Sequence, residues 1–199
     1  YRAAVQSWVS ILHEAGIAVI LDLHWNAPNG VIADGQRGMT DDRSDDFWTS
    51  VATTFKDDHA MIFDAFNEPF SRDAFDLSWT CWRNGGCQTP KAEQGKNTPA
   101  GTYTVVGMQA LVNAIRAAGA TQPIMLGGLD YSNDLTQWLQ SRPEDGAPGT
   151  GDDQLIASFH NYDGQNCHTV ACWDSVIAPI AAQVPVVTGE FAATDCKED

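Results

Sequence analysis

The feature that most constrains this chain is a repeated alternation of short apolar runs with segments of helical spacing. Residues 2–15 place Val5, Trp8, Val9 and Leu12 on one helical face, and Gly16 follows as a C-terminal stop. Residues 17–23 then form a nearly continuous apolar run, as in a strand covered on both faces. The same two signals recur along the chain. Further helices are predicted over 45–56, 103–118 (closed by Gly119), 135–140 and 173–182, and further strands over 60–66, 123–129, 155–159 and 185–188. Strands that alternate with helices pair in parallel. Two longer segments, 70–101 and 141–153, break the rhythm and are expected to be loops, of the kind that sit at a functional face or are disordered.

Polar residues separate the possible parallel folds. A doubly wound nucleotide fold would carry a glycine-rich turn between a strand and a helix. Gly127 and Gly128 lie at a predicted strand and match no such fingerprint. Instead each apolar run ends in reactive groups: His24 after the first, Asn67 and Glu68 after the second, and Asp130 after the third. His160 and Tyr162 follow the fourth run, and Glu190 follows the fifth. Reactive groups at the C-terminal ends of successive parallel strands are the mark of a (β/α)8 barrel, which usually takes ~250 residues. The expectation is therefore an α/β fold, an incomplete TIM barrel with about strands 3–7 of 8, in a single partial catalytic domain spanning residues 1–199.

Charge and cysteine content narrow the partners. A net charge of −15 argues against nucleic acid and against anionic membranes. A neutral polysaccharide is compatible with it. No stretch has the length of a membrane span, and no signal peptide is visible. Of the five cysteines, Cys81 and Cys87 are close in sequence, as are Cys167 and Cys172. Two short-loop disulfides would suit an extracellular protein and would leave Cys196 over; reduced thiols are the alternative. Cys167, His168 and Cys172 lack the second ligand pair a zinc site needs, so no metal or cofactor is expected.

Glu68 and Glu190 carry the chemistry. Glycosidic bonds are cleaved by a pair of carboxyl groups, one giving a proton to the leaving oxygen and the other attacking the anomeric carbon or activating water. Both glutamates end strands amid apolar neighbours, where a carboxylate is costly unless paired or hydrogen-bonded. In a barrel, those two positions can face each other across the mouth.

The segments that hold these residues resemble glycoside hydrolase family 5. They are Val19-Ile20-Leu21-Asp22-Leu23-His24-Trp25, Phe63-Asp64-Ala65-Phe66-Asn67-Glu68-Pro69, Phe159-His160-Asn161-Tyr162 and Val187-Thr188-Gly189-Glu190, in order and spacing. The resemblance implies a barrel running from helix 2 to the end of strand 7. It implies Glu68 as acid/base, Glu190 as nucleophile and Asn67 as the contact to a sugar 2-hydroxyl. Tyr162 would orient the nucleophile, His160 would lie beside the acid/base, and His24 would contact sugar in the −1 subsite. The family's arginine near strand 2 and its tryptophan after strand 8 have no counterpart in these residues. The implied activity is a retaining endo-β-1,4-glucanase on cellulose-like chains, secreted, and monomeric when the barrel is complete. A β-mannanase, another β-glycanase or an inert carbohydrate-binding fragment are the alternatives. A phosphate-binding barrel is disfavoured, since Phe191-Ala192-Ala193 follows the fifth run where a glycine-rich loop would be needed.

The expected carboxyl separation is about 5–5.5 Å, the retaining geometry. Apolar surroundings and the neighbouring Glu190 are expected to raise the pKa of Glu68. Trp25 is expected at the site, with Trp79 and Trp82 as weaker sugar platforms. Trp8, Trp48 and Trp138 fit core positions, and His13 and His59 helix ends. Asp41, Asp42, Asp45 and Asp46 read as negative charge at a helix N-terminus; Ca2+ binding is the alternative, without a loop signature to support it.

Overall fold

A computed structural model describes residues 1–26, 28, 35–72, 75–89, 102–146 and 154–193. Cys196 and parts of the two predicted loops therefore lie outside the described residues. Among the described residues, five strands form one sheet in the order β1-β2-β3-β4-β5, all parallel: β1 (Val19–Asp22), β2 (Met61–Asp64), β3 (Ile124–Gly127), β4 (Leu155–Tyr162) and β5 (Val186–Ala192). Spatial order equals chain order. Right-handed crossovers of constant direction put every connecting helix on the same face, whereas a doubly wound sheet reverses its order midway. The expected incomplete (β/α)8 barrel is what forms.

The helices are α1 (Arg2–Glu14), α2 (Ser44–Phe55), α3 (Trp79–Asn84), α4 (Met108–Ala117), the turn α5 (Leu129–Ser132), α6 (Trp138–Ser141), α7 (Val170–Cys172) and α8 (Ala178–Ala181). A π-helical segment, Trp173–Ile177, joins the last two. The predicted helix over 103–118 begins only at Met108. Its first residues extend instead against 86–89, with Val105 N–H donating to Cys87 O (2.8 Å) and Thr89 N–H to Tyr103 O (3.0 Å). Tyr103, Val105 and Val106 favour extended chain, and the Cys81–Cys87 disulfide closes the same corner. The second predicted disulfide, Cys167–Cys172, is also present. α3 is a helix inside what the sequence suggested was loop; Ser78 caps it, its hydroxyl accepting from Cys81 N–H.

Three buried tryptophans tie helices to strand ends. Trp48 of α2 donates its indole N–H to Ala65 O, Trp82 of α3 to Gly127 O, and Trp138 of α6 to Leu126 O, each at 2.9 Å. Each fills core volume and satisfies a carbonyl just where a strand ends, so the C-terminal rim is held from outside. Trp79 and Trp82 are thus core residues, packed edge to face at 5.2 Å, and not the sugar platforms the sequence allowed. Trp8 departs the other way: it is 64% exposed on α1 rather than in the core. Asp45 and Asp46 occupy the first turn of α2, as expected, while Asp41 is buried and accepts from Arg43 N–H and the Ser44 hydroxyl.

The inner face of the sheet holds two acids side by side. Asp22 and Asp64 are register partners on β1 and β2. Burial raises Asp64 well above the usual aspartate value, and the charges of Asp22 and Glu190 add to the effect. Among the described residues, Asp64 Oδ1 has no hydrogen-bond partner. Such a group binds its proton more tightly folded than unfolded. Its contribution to stability is complete below the unfolded pKa and is lost as pH rises through the raised folded value. Asp64→Asn is therefore expected to flatten the fall in stability above the usual aspartate range, measured by urea unfolding across pH. Trp82→Ala is expected to cost about 3–5 kcal/mol in the same assay, from lost burial and an unpaired Gly127 carbonyl.

Candidate active site

The site is assembled at the C-terminal rim by an irregularity in one ladder. β4 and β5 run on past the sequence expectation, so His160, Tyr162 and Glu190 lie inside strands, not after them. Phe159 pairs with Thr188, but His160 pairs with Glu190. Gly189 is the extra residue. Since side chains alternate with period two, this single-residue shift brings Glu190 opposite His160, where unbroken register would place Gly189. A side chain at 189 would also be tight: a Cβ there would stand 3.0 Å from His160 Nε2, and the ring would have to give by a few tenths of an ångström. His160 and Tyr162, two apart on β4, then share the face that meets Glu190.

Glu68 reaches the same point from the loop after β2. Its neighbour Asn67 is buried, with its N–H donating to Leu23 O (3.3 Å) and its carbonyl accepting from the Ser132 hydroxyl (2.7 Å). Tyr131 N–H donates to Pro69 O (3.0 Å), and the Tyr131 ring stacks on Phe70 at 4.5 Å. Asp130, Tyr131 and Ser132 all have φ between 51° and 60°, the left-handed region. Three such non-glycine residues in a row are strained, and here they clamp the segment that carries Glu68.

His160 stands between the two glutamates. Its Nδ1 donates to Glu68 Oε1 at 2.8 Å and lies 3.7 Å from Glu190 Oε2. The Tyr162 hydroxyl donates to Glu190 Oε2 at 2.7 Å. One oxygen of each glutamate and a His160 nitrogen all lie within 4.8 Å of one another. This is the one group among the described residues close enough to grip a cation jointly. Its atoms are instead bonded to each other and to Tyr162, and no metal role is assigned to it. His24 follows β1, its Nδ1 donating to Asp22 Oδ2 at 2.7 Å, and Trp25 beside it is 48% exposed.

The electrostatics correct one expectation. Burial does push Glu68 upward, but hydrogen bonds from His160 and Gln36, with the charges of His160 and His24, outweigh it. The carboxyl is held below the usual glutamate value, not above it. The sequence offered the apolar neighbours that raise a pKa, while the two donors come from remote segments. Tyr162 is pushed up to about 12, first by its hydrogen bond to Glu190, then by burial and the charges of Glu190 and Glu68. Asp22 is raised by burial, against the opposing His24 contact.

The structure therefore brings Glu68, Glu190, His160 and Tyr162 into direct contact, with Asn67, His24 and Trp25 on the same rim. Elsewhere, His13 pairs with Asp58 at 3.2 Å, and His168 and His59 are exposed. Sequence reasoning missed Gln36, Ser132 and Asp22. Asp22 was discoverable, since a lone acid two residues before His24 interrupts an apolar strand. Gln36 and Ser132 carry no local signal, being polar residues in irregular segments.

Known proteins resemble this chain in sequence and in fold. The chain is 33% identical over 171 residues to endoglucanase 1 of Saitozyma flava, covering 81% of this chain and 40% of that protein. It is 29% identical over 175 residues to the manganese dependent endoglucanase Eg5A of Phanerodontia chrysosporium, covering 80% of this chain and 36% of that protein. It thus spans well under half of the curated relatives it matches. The solved structure of XacCel5A in complex with cellopentaose shares the fold, with a TM-score of 0.62 at 20% identity over 97% of this chain and 58% of that one. The model of cellulase (glycosyl hydrolase family 5) matches residues 1–199, and the chain belongs to that family.

Proposed function

We propose that this chain forms the catalytic portion of a retaining, endo-acting β-1,4-glucanase, with Glu190 as nucleophile and Glu68 as acid/base. The observation that carries the proposal is the close approach of the two glutamates, with one oxygen of each inside a 4.8 Å cluster. Retaining hydrolases hold their carboxyl groups about 5–5.5 Å apart, whereas inverting ones leave about 6.5–9.5 Å for a water. In the first displacement, Glu190 attacks the anomeric carbon while Glu68 gives its proton to the departing oxygen, and the glycosidic bond breaks. In the second, water attacks that carbon, Glu68 takes its proton, and Glu190 leaves as a carboxylate. The Tyr162 hydroxyl holds Glu190 in its attacking rotamer, and His160 holds Glu68. Asn67, His24 and Trp25 are the proposed sugar contacts, Trp25 by presenting an exposed indole face to a pyranose.

Cellulose-like glucan is the proposed substrate, supported by the names of the two relatives and by the cellopentaose bound to the structural neighbour. We further propose a secreted protein, since two disulfides suit an oxidising compartment. A single catalytic domain, monomeric when its barrel is complete, is the proposed organisation.

In the protein at its natural full length, a 2-deoxy-2-fluoro β-cellobioside should label Glu190, seen as a mass increment on its peptide. Label on another residue would remove Glu190 from its role. Glu68→Ala should lower turnover of β-glucan roughly a thousandfold, yet spare formation of the glycosyl-enzyme from an activated aryl cellobioside, followed as the burst of released phenol. Because Glu68 must carry a proton and its pKa is held low, kcat/KM should decline as pH rises through the acidic range. Tyr162 stays protonated there, so Tyr162→Phe should lower kcat without moving that decline.

A further inference from the structure

Both oxygens of Glu68 are engaged, and only one of the partners belongs to the cluster already described. His160 holds Oε1, while the side-chain amide of Gln36 donates to Oε2 at 2.5 Å. Gln36 arrives from the long connection between β1 and α2, and its surroundings are built, not loose. Arg37 next to it is buried. Gly38 O accepts from Phe70 N–H at 2.9 Å, which ties this stretch to a residue two positions beyond Glu68. Met39 is fully buried, and its carbonyl accepts from both the Asn26 side chain (2.9 Å) and the Tyr103 hydroxyl (2.6 Å). Gln36 is therefore presented to Glu68 by an anchored segment.

We propose that Gln36 is a positioning residue for Glu68, fixing the rotation of its carboxyl group and favouring the ionised form that serves as base in the second displacement. The proposal rests on the function proposed above for Glu68. An amide N–H gives its stronger hydrogen bond to a charged oxygen. Gln36 therefore works with His160 against the burial that favours the protonated form of Glu68. A donor on each oxygen also leaves the carboxyl little freedom to turn. Among the described residues, the titratable groups facing Glu68 are His160 and Glu190 on the two neighbouring strands, Tyr162, and His24 beyond β1. All of them persist when only Gln36 is changed.

Gln36→Leu removes the donor at similar bulk, and Gln36→Glu replaces it with a second carboxylate. In the full-length protein, Gln36→Leu is expected to lower kcat roughly tenfold on soluble β-glucan, with KM little changed. The alkaline limb of its kcat/KM profile should move up by about half a pH unit or more, and further in Gln36→Glu. A residue that merely supports the loop would lower activity without moving the limb, and an unmoved limb in both variants overturns the proposal. Absence of β-glycan turnover by the unsubstituted protein would instead defeat the proposed function. The Gln36 contact is then tested by a carboxyl-carbon NMR titration of Glu68. A higher midpoint in Gln36→Leu supports the contact, and an unchanged midpoint overturns it.

Discussion

The imidazole of His160, buried between two carboxylates, is the contact around which this rim is arranged. A buried ring of this kind is tolerable only when its polar atoms are satisfied. Glu68 satisfies its Nδ1, and the one-residue slip of the β4–β5 ladder at Gly189 brings Glu190 to 3.7 Å of that same nitrogen. The slip, the missing side chain at 189 and the tyrosine two residues past His160 form one device. A Cβ at 189 would press on the ring at 3.0 Å, and unbroken register would turn Glu190 to the other face.

The rest of the fold keeps that device in place. Indole N–H groups of Trp48, Trp82 and Trp138 close off carbonyls at the ends of β2 and β3 from the helical layer. A left-handed turn after β3 holds the backbone of Asn67 and Pro69 from the other side. Glu68 thus sits on a segment gripped by β1, by the Gly38 carbonyl and by the turn at 130–132. Strain in that turn is sustained because buried hydrogen bonds and the Tyr131–Phe70 stack over-determine it.

Much of this was legible in the sequence, for physical reasons. A parallel sheet covered by helices needs continuous apolar strands, and those runs, with polar groups at their ends, located all five strands and the reactive rim. His24, Asn67, Glu68, Asp130, His160, Tyr162 and Glu190 stood out as polar residues at the ends of apolar runs, and the resemblance to glycoside hydrolase family 5 supplied the roles of all but Asp130. What stayed hidden were contacts between segments distant in the chain. Gln36 and Glu68 are 32 positions apart, and nothing local in either announces the other. The hydrogen bonds from His160 and then from Gln36, both remote in the chain, are why the acidity of Glu68 was expected with the wrong sign. Trp82 misled for a similar reason: a tryptophan among glycines and polar residues suggests an exposed loop, until a helix forms there and a disulfide closes it.

The proposed chemistry requires two carboxylates to meet at one anomeric carbon, with the attacking one bound to that carbon between the two displacements. Proton NMR of cello-oligosaccharide hydrolysis by the full-length protein, recorded before mutarotation, reads this outcome directly. The new reducing end should appear first as the β-anomer and only later equilibrate to the mixture. First appearance of the α-anomer would mean that water attacks in a single step, and that Glu190 is no nucleophile and Glu68 no acid/base of a double displacement.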